Sequence, residues 1–293
     1  MLSWRLGDRT FDVSSRTLVM GILNVTPDSF SDGGRYLDPA AAIARGRELL
    51  AAGADLIDVG AESTRPGSTP VPAAEQIRRL APVLEGLADA VISVDTASAE
   101  VAADALRRGA RAVNDVTALG DPGMAAVVAR ADAGLVLMHM RGTPATMQAD
   151  PRYDDVVAEV AAFLRHRMVV ATGAGVAPEA IALDPGIGFG KRIEHSLALL
   201  AATATLAALG RPVLVGASRK SFLATLTGVE RPEERLEGSL AAAAIAAFEG
   251  ARVLRVHDVA ATVKVVRVAD AARAARRSTR EAAHPGASDA ARS

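Results

Sequence analysis

The sequence predicts an α/β protein whose parallel strands and helices alternate and close into an eight-stranded barrel. Three observations carry this expectation. From Leu18 onward one unit recurs: a short run of Val, Ile and Leu, a polar loop, an Ala-rich helix, and a Gly shortly before the next run. The apolar runs are continuous, as strands buried on both faces are, and strict strand–helix alternation implies parallel pairing with right-handed crossovers. Eight such units fit, which is the number that closes a (β/α)8 or TIM barrel; a doubly wound open sheet is the alternative arrangement.

Taken in order, residues 1–17 carry Trp4, Leu6, Phe11 and Val13 at near-alternating spacing and read as a small hairpin capping one end of the barrel. The strands are read as Leu18–Val25, Leu56–Glu62, Val91–Asp95, Ala112–Val116, Leu135–Met140, Ile181–Asp184, Val213–Ala217 and Val253–Val256. Helices lie between them, such as Ala40–Ala52, with Ile43, Gly46 and Leu50 on one face, and Asp155–Thr172, with Val157, Val160 and Leu164 on one face. Gly53, Gly109, Gly134, Gly210 and Gly250 punctuate the repeats, as residues that end helices do. One catalytic domain, 18–274, is expected. From about Ala275 the chain turns to Ala, Arg, Ser, Pro and Gly with Arg276, Arg277 and Arg280 clustered, so 275–293 reads as a frayed, disordered tail.

Composition narrows the function. The 293 residues are half hydrophobic, enough for one large core, and the formal net charge is −1 with no Lys/Arg block in the body of the chain. Nucleic acid and anionic membrane are not signalled as partners, so a small-molecule ligand is expected. Cysteine is absent and Met1 is followed by Ser3, Arg5, Asp8 and Arg9, which points to the cytoplasm. No apolar run is long enough to span a bilayer.

The chemistry concentrates where strands end, because a parallel barrel builds its active site on that face. Within Met20–Gly34 the first strand empties into a long polar loop, where Pro27, Asp28, Ser29, Ser31, Asp32, Gly33 and Gly34 can meet phosphate or a hydrated cation. The other strand ends deliver Glu62 to Arg65, Asp95 and Thr96, Asn114 and Asp115, His139 and Arg141, Asp184, Ser218 to Lys220, and Arg255, His257 and Asp258. Any one could cap the next helix, but every strand end is polar. Asp95, Asn114 and Asp184 form an acceptor-rich set that a planar heterocycle with ring N–H and amino groups would satisfy. Lys220, Arg255 and His257, with Asn24 and the opening loop, form a second set suited to phosphoryl oxygens and a hydrated Mg²⁺. The implied substrate is a heterocycle joined to a phosphate group.

The run Asp184-Pro-Gly-Ile-Gly-Phe-Gly-Lys191 is neither a dinucleotide fingerprint nor a P-loop, since its glycines alternate and Arg192 follows the lysine. Its glycines suit close approach of backbone to a flat ligand. His166 and His195 read as surface helix residues, and no paired His spacing suggests zinc.

In these motifs the chain resembles the dihydropteroate synthases, the sulfonamide targets of bacterial folate synthesis. The resemblance runs from about Leu18 to Arg267 through Met20–Gly34, Gly60-Ala-Glu-Ser-Thr-Arg-Pro-Gly67, Val94-Asp-Thr96, Asn114-Asp-Val116, Met138-His-Met-Arg-Gly-Thr-Pro144, Asp184–Lys191, Gly216-Ala-Ser-Arg-Lys-Ser-Phe222 and Arg255-Val-His-Asp258. It implies that Asp95, Asn114, Asp184 and Lys220 hold a pterin ring against which Arg255 stacks. It further implies that Asn24 binds Mg²⁺ and diphosphate with help from Arg255 and His257, and that Thr64 also touches the pterin diphosphate. Thr64, Arg65, Pro66, Phe189 and Ser221 would frame a 4-aminobenzoate pocket. The implied reaction displaces diphosphate from (7,8-dihydropterin-6-yl)methyl diphosphate by the amine of 4-aminobenzoate, diphosphate leaving first, in a homodimer. Arg141 stands where the family commonly has Gln, and no room exists for a fused pyrophosphokinase. A pterin-dependent methyltransferase would have no use for Arg255 and His257 as a diphosphate clamp, and a non-catalytic pterin-binding paralogue would have lost catalytic positions.

Overall fold

The structure, a computed structural model, describes residues 1–26, 38–63 and 69–283. It opens with a hairpin, β1 (Ser3–Leu6) against β2 (Arg9–Asp12), paired antiparallel from Ser3–Asp12 to Leu6–Arg9. The barrel follows as β3 (Leu18–Asn24), α1 (Pro39–Ala51), β4 (Leu56–Gly60), α2 (Ala73–Gly86), β5 (Ile92–Asp95), α3 (Ala99–Arg107), β6 (Ala112–Asp115), α4 (Met124–Arg130), β7 (Gly134–Met138), α5 (Val156–Gly173) and β8 (Ile181–Asp184). It is completed by α6 (Ile193–Ala201), α7 (Thr203–Ala207), β9 (Leu214–Val215), α8 (Ser221–Thr227), α9 (Leu236–Phe248), β10 (Val253–Val256) and α10 (Val259–Ala283).

The eight strands from β3 onward are all parallel, in the order β8-β7-β6-β5-β4-β3-β10-β9. Closure is supplied by a parallel bridge between Leu183 and Val213 and by Leu183 N–H donating to the Pro212 carbonyl at 2.9 Å. The sheet is therefore a barrel, and the open-sheet alternative is excluded. Among the described residues no helix is long and apolar enough to cross a membrane.

Local chemistry sets the helix starts. Asp38 caps α1 by accepting from Ala40 N–H, with Pro39 in the first turn, and Asp155 caps α5 by accepting from the Val157 and Ala158 N–H groups. The buried face of α1 is Ala42, Gly46 and Leu49, one step round from the expected Ile43 and Leu50, which pack at its margin. Gly53, Gly109, Gly210 and Gly250 follow helices with left-handed backbone, whereas Gly134 opens β7 beneath Leu6.

Two apolar cores result. One fills the layer between the sheet and the helices; the other occupies the barrel interior at the strands' amino ends, where Trp4, Leu6 and Val13 of the hairpin meet Leu18, Met20, Leu56, Ala112, Val136, Ala182, Leu214 and Val253. Trp4 is fully buried, and its indole N–H donates to the Ala180 carbonyl at 3.0 Å. The hairpin thus plugs one end and leaves chemistry to the other.

The expected tail begins too early. Helix α10 continues through Ala283, and Arg276, read from sequence as part of a basic tail, bonds Glu249 at 2.9 Å and stacks over Phe248 at 4.1 Å. An Ala- and Arg-rich sequence has high helix propensity, and these contacts to α9 and its end hold the added turns in place. Residues 284–293 lie outside the described residues.

Candidate active site

Asp95, Asn114, Asp184 and Arg255 lie at the carboxyl ends of β5, β6, β8 and β10, and the first three are buried. Asn24 ends β3 in register with Gly60 of β4. Lys220 immediately precedes α8, and Ser221 is its exposed first residue. These seven members of the predicted set stand at the strand-end face. Thr64, Arg65 and Pro66, together with residues 27–34 of the opening loop, lie outside the described residues.

The two charge sets expected from sequence do not stay apart. Arg255 Nε donates to Asp58 Oδ2 at 2.6 Å, and its Nη2 donates to Asp95 Oδ2 at 2.7 Å. Arg255 thus belongs to the acidic cluster in this structure, because two buried carboxylates without a cation would carry a prohibitive desolvation cost. Asp58, which strand-end reasoning passed over, is fully buried in the middle of β4 and also accepts from Asn114 Nδ2 at 2.9 Å. Its other oxygen, Oδ1, and Asn114 Oδ1 are buried without a hydrogen-bond partner.

Burial dominates the electrostatics. It pushes the Asp95 carboxyl up to about 7, with Asp58's like charge adding and Arg255 opposing. It pushes Asp184 up to about 6 against a hydrogen bond from Gly186 N–H, 2.7 Å from Asp184 Oδ1, and against the charges of Lys220, Lys191 and Arg255. Burial also works against the charge on Arg255, but Asp58 and Asp95 outweigh it and hold the guanidinium more firmly protonated than in water.

His257 is held neutral, burial drawing it down to about 3 with Arg219 and Arg255 nearby. Its own backbone N–H donates to Ser218 Oγ at 3.3 Å, and that hydroxyl lies 3.0 Å from its Nδ1. An oxygen that accepts from the backbone is best used donating to Nδ1, so the assigned tautomer carries its proton on Nε2. His257 therefore offers one N–H to a ligand without bringing a charge. Beside it, Arg219 and Asp258 form a two-bond pair at 2.6 and 3.0 Å that ties the loop after β9 to the end of β10.

The loop after β8 is pinned from below. Lys191, nearly fully buried, places Nζ 3.0 Å from His139 Nδ1, 3.2 Å from the His139 carbonyl and 2.9 Å from the Phe189 carbonyl. Burial lowers Lys191 to about 7 and His139 to about 3. Phe189 lies under Lys220, whose Nζ is 3.7 Å from the ring centroid. Sequence reasoning saw Lys191 only as the end of a motif; no pattern on its own element shows that it is buried.

Several polar strand ends serve structure instead. Asp115 accepts from Thr117 N–H, Thr117 Oγ and Leu119 N–H, and Glu62 accepts from Val71 N–H and Gln76 Nε2. Arg141 pairs with Glu159 at 2.6 Å and lies 4.0 Å over Tyr153. His166 is exposed as expected, while His195 is half-buried against Tyr153. A separate concavity of about 370 Å³ lies at the opposite end of the barrel, lined by Gly7, Asp8, Leu106, Arg111 and Asp132 among others. Its charges are already paired across it, Arg111 with Asp8 and Arg5 with Asp132, so it lacks the convergent polar groups of a site.

Known proteins are similar to this chain in sequence and in fold. The family model described as "Pterin binding enzyme" matches residues 20–257. Dihydropteroate synthase of Escherichia coli (strain K12) is 47% identical over 249 residues, spanning 84% of this chain and 88% of that protein. The crystal structure of Yersinia pestis dihydropteroate synthase with a sulfonamide drug complex superposes with a TM-score of 0.88 at 42% identity, covering 93% of this chain and 100% of that one. Xanthomonas albilineans dihydropteroate synthase with 4-aminobenzoic acid gives a TM-score of 0.86 at 48% identity, covering 92% and 98%. With the barrel, the buried carboxylates and the matched span all in agreement, the chain belongs to the pterin binding enzymes and, within them, to the dihydropteroate synthase family.

Proposed function

We propose that the chain condenses (7,8-dihydropterin-6-yl)methyl diphosphate with 4-aminobenzoate to give 7,8-dihydropteroate and diphosphate in folate synthesis. The observation that carries this reading is the buried acceptor cluster of Asp95, Asn114 and Asp184 beside Lys220 and Arg255. Asn114 Oδ1 is a buried acceptor without a protein donor, which a ring N–H or amino group would supply. Asp95 and Asp184 would take the remaining donors of the pterin, and Lys220 would meet its carbonyl side. Arg255 would leave Asp95 to stack on the ring and reach the diphosphate, and His257 Nε2–H would donate to a phosphoryl oxygen. Thr64 would touch the pterin diphosphate. Phe189 and Ser221, with Thr64, Arg65 and Pro66, would frame 4-aminobenzoate.

In the reaction the methylene C–O bond breaks with its electron pair on the diphosphate oxygen. The resulting cationic methylene is stabilised by the electron-rich ring and by ionised Asp95. The amine nitrogen of 4-aminobenzoate then forms the C–N bond and gives up a proton to solvent water. Among the described residues no group of three or more His, Cys, Asp or Glu is placed to hold a metal. The amide oxygen of Asn24, a half-buried residue at the end of β3, fits an ion that keeps several waters and takes its other ligands from substrate phosphate, as Mg²⁺ does. When bound there, Mg²⁺ supplies charge neutralisation to the leaving diphosphate.

A homodimer in the cytoplasm completes the proposal. Its support is the exposure of Leu197, Leu226, Ile245 and Val268 on α6, α8, α9 and α10, the other three helices all packing against α9. Sedimentation should give twice the chain mass, and Ile245→Glu should shift it toward the monomer.

The test of the activity is to incubate the protein with the pterin diphosphate and Mg²⁺, with and without 4-aminobenzoate, and follow both products. One dihydropteroate per diphosphate is expected. With 4-aminobenzoate present, diphosphate release without dihydropteroate, or no turnover at all, would overturn the reading and leave the methyltransferase-like and non-catalytic alternatives.

A further inference from the structure

Asp58 makes none of the contacts assigned above to a substrate, yet it holds two residues that do. Its Oδ2 accepts from Arg255 Nε at 2.6 Å and from Asn114 Nδ2 at 2.9 Å, and its side chain is wholly inaccessible to solvent. The first bond fixes the inner edge of the guanidinium. The second fixes the sense of the Asn114 amide: a carboxylate only accepts, so Nδ2 must face Asp58 and Oδ1 must face away. Asn114 Oδ1 is thereby left as a buried acceptor with no protein donor. Without Asp58 the amide could present either end.

We propose that Asp58 is the positioning residue of the pterin subsite, anchoring Arg255 at Nε and setting Asn114 to accept. This rests on the proposed function, since it concerns the pterin that reading places there. The geometry divides the guanidinium into a fixed and a releasable edge. Nε stays on Asp58, deep in β4, while Nη2 bridges to Asp95 at 2.7 Å and must let go when the ring's donors claim that carboxylate. Two carboxylates share one arginine in the ligand-free protein; one keeps it when the ligand arrives.

Asp58→Asn is the informative change, because its amide oxygen can still accept from both donors while the charge is lost. Arg255 then has Asp95 as its main counter-ion, so the ring must break a stronger pair to enter. The expected result is pterin diphosphate affinity lowered about tenfold or more, with the KM for 4-aminobenzoate within about twofold of wild type. Calorimetry with pterin diphosphate alone reads the affinity, and its stoichiometry counts only folded sites, so a partly folded preparation still reports.

A double-mutant cycle with Arg255→Ala separates positioning from general damage. If Asp58 acts through Arg255, Asp58→Asn should weaken pterin diphosphate binding much less in the Arg255→Ala background than in wild type. Additive losses, unchanged pterin affinity in Asp58→Asn, or equal losses for both substrates would each overturn the inference. Wild type that binds no pterin diphosphate would overturn the proposed function itself, a result separate from any of these.

Discussion

Asp184 Oδ1 already accepts from Gly186 N–H at 2.7 Å, which decides how an amide would sit in its place. An Asn at 184 keeps its oxygen on Gly186 and turns its NH2 toward the position of the second carboxylate oxygen, opposite ligand donors. Asp184→Asn should therefore weaken pterin binding by about 1–3 kcal/mol with little change in melting temperature, as measured by calorimetry beside a thermal melt. The raised carboxyls of Asp95, about 7, and Asp184, about 6, add a pH dependence. A ligand that donates to them binds the ionised forms and competes with protons. Affinity for the pterin alcohol, which lacks diphosphate, should fall as pH drops through 7 and then 6, and binding should release protons in that window; pH-independent affinity would contradict the assignment. For folding the sign is opposite. A carboxyl raised in the fold contributes stability below its unfolded pKa of 3.8 that is lost as pH rises through its folded value, whereas His139 and His257, lowered to about 3, contribute stability that is lost as pH falls below 6.5. Asp95, Asn114, Asp184 and Lys220 were legible in the sequence because polar residues ending apolar strands stand out. Asp58 was not, since it sits inside Leu56–Gly60 and only the strand order β4-β3-β10 brings its side chain to Arg255, 197 positions away.

The loop after β8 shows what the alternating glycines are for. Gly186 has φ +66°, and a Cβ there would run into the His139 carbonyl; one on Gly190, φ +57°, would run into the Arg141 carbonyl. The sequence reading assigned these glycines to close approach of a ligand, and the structure shows backbone of the loop after β7 in that place. Gly186→Ala should cost about 1–3 kcal/mol for the left-handed backbone alone, with the clash added, and should displace Phe189 and Lys191. Lower thermal stability together with a raised KM for 4-aminobenzoate would be the signature; a variant that melts and turns over like wild type would contradict it. Element boundaries were legible to within a residue or two where apolar runs are sharply bounded, as at Ile181–Asp184 and Val253–Val256. They were less so at β9, whose span is Leu214–Val215 with one further bridge at Val213 within the expected Val213–Ala217, and at α10, where Arg276 contacts Phe248 and Glu249, which lie outside that helix.

Across the whole molecule the barrel is sealed at one end and reactive at the other, and the seal is chemically distinct from the site. The near-alternation of Trp4, Leu6, Phe11 and Val13 was enough to place a hairpin, but not to show that Trp4 and Leu6 enter the interior core while Phe11 packs at its edge. That core draws on seven of the eight barrel strands, so its loss should loosen the barrel as a unit instead of fraying one element. Trp4→Ala removes a fully buried indole and leaves the Ala180 carbonyl without its donor. It should destabilise the protein by about 3–5 kcal/mol in denaturant titration followed by far-UV circular dichroism. Trp4 is the chain's one tryptophan, so in the wild type its emission reports on the sealed end alone. Fluorescence and circular dichroism should then give superimposable unfolding curves, because the seal and the barrel strands share one core. A fluorescence transition that precedes the loss of circular dichroism would mean that the hairpin comes away from an intact barrel, and Trp4→Ala would in that case cost far less than a core cavity does.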